Sequence, residues 1–125
     1  MLKRKGVKII LLIVISIVMI GIFKNLFAQK NSEQLKEIVE NGAFLVDVRT
    51  PAEFKQGTAK GAVNIPLDSI EHQLSKFRGK NQIVVFCRSG NRSEQAKKKL
   101  EKNGFENVVN GGTWNQVSQI VSETK

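Results

Sequence analysis

Cys87 is the only cysteine of the chain, and it stands where an apolar run stops. Ile83-Val84-Val85-Phe86 reads as a buried strand, Cys87-Arg88-Ser89-Gly90-Asn91-Arg92-Ser93 follows it, and from Ser93 to Lys102 the pattern is helical. A strand that ends at a cysteine, turns tightly and enters a helix sets the sulfur over unpaired backbone N–H groups at the positive helix end. That field lowers a thiol pKa and favours the thiolate, which is the reactive form. Arg88 and Arg92 add two positive charges that can hold an anion. The residue types and their spacing point to sulfur chemistry on an anionic substrate. A lone cysteine is more commonly a small buried hydrophobe. The Arg, Ser, Gly, Asn and Arg directly behind this one argue against that here.

Other residues with chemical potential carry less. His72, the only histidine, falls on a helix face expected to be exposed and solvated. Asp47 and Arg49 lie at a strand end and are expected to brace loops, Glu53 to cap a helix, and Trp114 to sit in the core. With one cysteine there is no intramolecular disulfide and no Cys-rich metal site. Nor can a second thiol resolve an oxidised Cys87, so a reductant from outside the chain, such as a reductant protein, is an expected partner.

The formal charge of +9 invites a nucleic-acid reading, but its distribution opposes one. Six of the 20 basic residues (Lys3, Arg4, Lys5, Lys8, Lys24, Lys30) precede residue 31, where no acidic residue occurs, which leaves 14 basic against 11 acidic and a net +3 for the rest. The chain has no tyrosine, and Lys97-Lys98-Lys99 is most simply a solvated helix face. No nucleic-acid partner is expected.

At 125 residues there is room for one domain and an appendage. Residues 1–30 form the appendage. After a basic start, Ile9 to Phe23 is uncharged and apolar on every side, which suits lipid better than a core. With Leu26, Phe27 and Ala28 included, and Lys24 snorkelling to the interface, the run nears the roughly 20 residues that cross a bilayer. A cleaved signal peptide is the rival, but Leu26-Phe27-Ala28 matches the small-residue cleavage pattern poorly. The basic flank stays cytoplasmic, so the expected location is the cell membrane, single-pass, with the C-terminal domain extracytoplasmic. Cleavage would make the domain periplasmic or secreted. Residues 24–31 read as a short polar connector.

Residues 31–125 form the domain. Asn31 or Ser32 caps a helix carrying Leu35, Ile38 and Val39 on one face, and Asn41-Gly42 ends it. Ala43–Val48 is a buried strand. Thr50-Pro51-Ala52-Glu53 is a capping box with proline at the first helical position. Ala62–Pro66 is a short strand, and Asp68–Lys76 a helix with Asp68 and Glu71 at capping-box spacing and Ile70, Leu74 and Phe77 inward. The helix after Cys87 stops at Asn103-Gly104. Glu106–Val109 is a last strand, and Gly111-Gly112 turns into a helix bearing Trp114, Val117, Ile120 and Val121. Short apolar strands alternating with helices indicate an α/β fold, a small parallel sheet covered on both faces. Its ligand site lies beyond the carboxyl strand ends, where Cys87 falls.

Several of these passages together resemble the rhodanese-like domain family. Leu45-Val46-Asp47-Val48-Arg49-Thr50-Pro51-Ala52-Glu53-Phe54 resembles its "DVR…E(F/Y)" signature, and Gly61-Ala62-Val63-Asn64-Ile65-Pro66 its "GAxNIP" segment. Cys87 to Ser93 is similar to the active loop of the family's sulfurtransferases. Gly104-Phe105 through Asn107-Val108, with Gly111-Gly112 before Trp114, resembles its C-terminal pattern. The matches run in order over about residues 32 to 121. Gly57-Thr58-Ala59 replaces a frequent Gly-His-Ile, and the glycine-to-tryptophan spacing is compressed.

The resemblance implies a rhodanese-like fold and a thiosulfate-type sulfurtransferase. Cys87 would form a persulfide with sulfur from a small anionic donor such as thiosulfate, and a thiol or cyanide acceptor would take it. Backbone N–H groups from Arg88 to Ser93 would cradle persulfide and leaving anion, with Gly90 permitting close approach. Arg88 and Arg92 would attract the donor, and Ser93 would cap the helix or donate its hydroxyl. No metal or organic cofactor is called for. Two alternatives stand beside it. One is a non-catalytic or sulfur-carrier module for a membrane partner. The other is a cysteine phosphatase or arsenate reductase, whose loop holds a longer interval than the four residues between Cys87 and Arg92.

Overall fold

The two most apolar strands, residues 44–47 and 83–87, are buried on both faces, and that dictates the architecture. The computed structural model describes residues 2–124. Four strands, β1 (Phe44–Asp47), β2 (Val63–Asn64), β3 (Ile83–Cys87) and β4 (Val108–Thr113), form one sheet in the order β2-β1-β3-β4 with every neighbouring pair parallel. The helices are α1 (Leu2–Glu40), α2 (Pro51–Gln56), α3 (Asn91–Lys102) and α4 (Trp114–Glu123). The expected α/β fold with a small parallel sheet is what is found.

Alternation along β3 sorts its side chains between two cores. Ile83, Val85 and Cys87 join Val46, Ile65, Ile70, Phe77, Ala96 and Leu100 on one face. Val84 and Phe86 join Leu35, Leu45, Ala59, Val117 and Ile120 on the other. Cys87 therefore shares its face with the α3 residues Ala96 and Leu100. This is the fold's main contribution to the site.

The chain divides into two units, one ending at Gln34 and the other starting at Leu35. Among the described residues α1 is the one helix long and apolar enough to cross a membrane, with an 18-residue window of mean hydropathy 2.8. Its large apolar side chains from Val7 to Leu26, Ile9 to Ile15 among them, stand exposed all round.

Three expectations are corrected. The connector at residues 24–31 is helical, and neither Asn31 nor Ser32 caps a new helix, because no Gly or Pro breaks the stretch between Gly21 and Gly42. In place of a helix over Asp68–Lys76 there are two 3₁₀ segments, Leu67–His72 and Leu74–Phe77, and Asp68 caps nothing. Ile70 and Phe77 are buried nonetheless, so the inward pattern outweighed the helix type. Gly111-Gly112 is no turn but part of β4. Val85 pairs Asn110 and Phe86 pairs Gly112, which leaves Gly111 as the extra residue of a bulge. A Cβ on Gly111 would lie 2.8 Å from Val84 Cγ1 and 3.0 Å from Val117 Cγ2, so only glycine lets β4 pass there. The helix expected to bear Trp114 is α4, which starts directly at that residue and is capped by the Thr113 hydroxyl accepting from Gln116 N–H.

Candidate active site

β3 delivers Cys87 to the carboxyl edge of the sheet, and α3 begins four residues later at Asn91. Gly90 makes the connection. It stands at the N-cap of α3 with φ +93, a left-handed conformation costly for residues with a Cβ. The turn aims backbone N–H groups at the sulfur: Gly90 N–H donates to Cys87 Sγ at 3.0 Å and Ser93 N–H at 3.4 Å. The Ser93 hydroxyl lies 3.4 Å from the same atom. Cys87 is fully covered and belongs to the apolar cluster with Ala96 and Leu100, while the hydrogen-bond partners of its sulfur are polar groups of this loop. Burial pushes the thiol pKa up. The Ser93 hydroxyl and the N–H groups of Ser93, Ser89 and Gly90 outweigh it, so the thiol sits below its ordinary value.

The rest of the loop divides by exposure. Arg88, Ser89 and Asn91 are exposed, whereas Ser93 is buried. Arg88 has no ion-pair or hydrogen-bond partner among the described residues. Arg92 is different. Its guanidinium grips Glu53 with Nη1 to Oε1 at 2.7 Å and Nη2 to Oε2 at 2.9 Å. This pair raises the Arg92 pKa, and the Arg92 hydrogen bond is the largest cause holding Glu53 down at about 2. Glu53 also closes the α2 capping box with Thr50, as expected of it. Its reach to the cysteine loop was not.

Asp47 and Arg49 are both buried and brace loops. Arg49 Nε and Nη2 donate to the Asp47 carboxylate at 2.9 and 2.6 Å, and the Thr58 hydroxyl donates to it at 2.8 Å. Asn64 Nδ2 ties the backbone carbonyls of Asp47 and Arg49 together, each at 2.9 Å. The Arg49 guanidinium lies over the Trp114 ring, 4.9 Å from its centroid. Trp114 packs against the core as expected, but only in part. With Arg49, Glu53, Gln56, Gly57 and Arg88 it also lines an open cavity of about 380 Å³. His72 is exposed and touches none of this.

One residue at the site escaped sequence reasoning. Asn110, in β4, bonds to Ser93 Oγ, Gly90 O, Glu94 and Gly112 N–H. The signal for it was slight, a polar residue in an apolar strand just before a glycine pair. Among the described residues no group of three or more His, Cys, Asp or Glu converges as a metal site would need.

The chain is similar to known proteins. A fission yeast (Schizosaccharomyces pombe) protein named putative thiosulfate sulfurtransferase, mitochondrial, is 37% identical over 89 residues, 60% of this chain and 63% of its own length. A sulfurtransferase of Allochromatium vinosum is 41% identical over 66 residues, covering 53% of this chain and 62% of that protein. The chain thus spans under two thirds of the length of these two relatives. A solved structure, "rhodanese with anions from E. coli", superposes with a TM-score of 0.57 at 29% identity over 62% of this chain and 93% of its own. The rhodanese-like domain model matches residues 31–114, from the last turns of α1 through all four strands and the cysteine loop to Trp114. A match of that extent, on a sheet that puts the cysteine under the start of α3, makes this chain a member of the rhodanese-like domain family.

Proposed function

We propose that the chain is a sulfurtransferase that moves sulfane sulfur from thiosulfate, or a related anionic donor, to a thiol or cyanide by way of a persulfide on Cys87. The observation that carries this is the pair of N–H groups, Gly90 and Ser93, aimed at the Cys87 sulfur at 3.0 and 3.4 Å. Such donors, fixed in place before reaction, stabilise negative charge without reorganisation. Relatives named as sulfurtransferases support the same reading.

In the first half-reaction the Cys87 thiolate attacks the outer sulfur of thiosulfate. The new S–S bond forms as the bond between the two donor sulfurs breaks, and sulfite departs with that electron pair. In the second, an acceptor thiolate or cyanide attacks the terminal sulfur, and Cys87 leaves as the thiolate it began as. Arg88, exposed and without a partner among the described residues, meets the donor first. Arg92 already shares its charge with Glu53 and contributes more to the shape of the loop. The Ser93 hydroxyl and the loop N–H groups hold the sulfur throughout.

Mass spectrometry of the whole chain after thiosulfate treatment tests this. One added sulfur on Cys87, discharged by cyanide as thiocyanate, is the expected result, and Cys87→Ser should show neither while remaining folded. No sulfur gain by a folded wild-type chain, or turnover without Cys87, would refute the reading. Loading without transfer indicates a carrier, and cleavage of a chromogenic phosphate ester a phosphatase.

Residues 1–30 act as a single-pass anchor, with the domain at 31–125 on the outer side. The basic residues before Ile9 and the exposed apolar surface of α1 support this. Protease added to intact spheroplasts should digest the domain; protection until the membrane is opened would reverse the orientation.

A further inference from the structure

Asn110 uses its whole hydrogen-bonding capacity, and half of it goes to the cysteine loop. Nδ2 donates to Gly90 O at 3.1 Å and to Glu94 Oε2 at 3.0 Å. Oδ1 accepts from Gly112 N–H at 2.9 Å and from the Ser93 hydroxyl at 2.7 Å. The neighbours settle which atom is which. Gly112 N–H can only donate and Gly90 O can only accept, so the amide cannot be reversed. The Ser93 hydroxyl, by contrast, has one proton and three acceptors in reach: Asn110 Oδ1 at 2.7 Å, Gly90 O at 3.0 Å and Cys87 Sγ at 3.4 Å. Asn110 is nearest. Gly90 O already takes the Glu94 N–H at 3.1 Å and is the weaker competitor.

We propose that Asn110 is a positioning residue that competes with the Cys87 sulfur for the single Ser93 hydroxyl proton, and so sets the fraction of Cys87 present as thiolate. While Cys87 is a thiol, its S–H donates to Ser93 Oγ and the Ser93 O–H donates to Asn110 Oδ1. When the thiol proton leaves to a base in solution, the sulfur becomes the stronger acceptor and the Ser93 O–H turns to it. Asn110 Oδ1 keeps the Gly112 N–H, so it is not stranded. Only the S–H bond breaks, and no electron changes hands. The charged groups around the loop are Arg88, Arg92 with Glu53, Glu94, and the Asp47–Arg49 pair; β4 carries no ionisable side chain. The competition adds to their fields and is separable from them.

The inference rests on Cys87 being the reacting group, but its test needs no sulfur donor. Thiolate absorbance of the whole chain in mild detergent is followed against pH. Cys87 is the sole cysteine and there is no tyrosine to overlay the signal. Asn110→Ala should raise the acid dissociation constant of Cys87 about fivefold, the scale of one hydrogen bond. Ser93→Ala should lower that constant, and adding Asn110→Ala to it should change nothing further. A loop merely slackened by losing Asn110 would forfeit the Gly90 N–H and free the Glu94 charge, both of which shift the constant the other way. A fall or no change in Asn110→Ala overturns the proposal, as does an equal rise without the Ser93 hydroxyl. If Asn110→Ala fails to fold, Asn110→Asp replaces it: its carboxylate should lower the constant more with Ser93 present than with Ser93→Ala, and equal falls refute the competition. A chain that titrates as expected but gains no sulfur from thiosulfate sinks the transferase reading alone.

Discussion

Arg92 and Glu53 lie 39 residues apart in the chain and meet through two parallel hydrogen bonds, at 2.7 and 2.9 Å. The Glu53 carboxylate thereby closes the first turn of α2 and pins the far end of the cysteine loop. It also neutralises one of the two arginines of the loop.

Glu53→Gln should therefore release Arg92 toward the substrate. Glutamine keeps an oxygen for the Thr50 N–H but loses the charge. We expect the thiosulfate KM to fall roughly threefold, the worth of a partly exposed ion pair, with kcat little changed. A KM that rises would show that the pair shapes the loop rather than competing with the donor.

The same carboxylate leaves a mark on stability. Arg92 holds the Glu53 pKa at about 2 in the folded chain against an ordinary 4.5. A depressed carboxylate stabilises the fold fully above its unfolded pKa, and that contribution is lost as pH falls from 4.5 toward about 2. Urea unfolding at several pH values should show this acid loss in the wild type and a shallower slope in Glu53→Gln. Identical slopes would contradict the pairing.

Arg88 is the loop cation with no partner among the described residues. Arg88→Ala should raise the thiosulfate KM about tenfold and flatten its dependence on ionic strength, because an exposed steering charge is screened by salt. The unfolding midpoint should not move, since the side chain holds nothing in place. An unchanged KM would transfer the anion-binding role elsewhere.

Gly111→Ala should destabilise the domain by about 1–3 kcal/mol through overpacking. The new methyl would meet Val84 and Val117 at 2.8 and 3.0 Å. Gly6→Ala, with nothing within 4 Å, is the control and should leave the melting temperature in place. Equal melting curves for both variants would mean that β4 yields without cost.

Much of this site is legible in the amino-acid sequence. The apolar run into Cys87, the change to helical spacing after it and the Thr50–Glu53 box all depend on neighbours within one turn. Strand, loop and helix can therefore be laid down in order, with the sulfur at the start of α3. Asn110 is not legible in that way, because its importance comes from β4 lying beside β3 in one particular register. Nor is the bulge at Gly111, which answers to side chains 27 residues before it and six after it. The 3₁₀ segments at Leu67–His72 and Leu74–Phe77 depart from the expected helix for a related reason, since inward positions can be filled by more than one helix type.

By itself the sequence determined which residues stand close along the chain: the cysteine, the turn that aims its N–H donors, and the apolar faces that bury the strands. Only the tertiary structure decided which charges are spent and which proton is shared. Those choices lie between Glu53 and Arg92, and between Ser93 and Asn110. Their distances are set by strand order and register, and no rule of local spacing reaches that far.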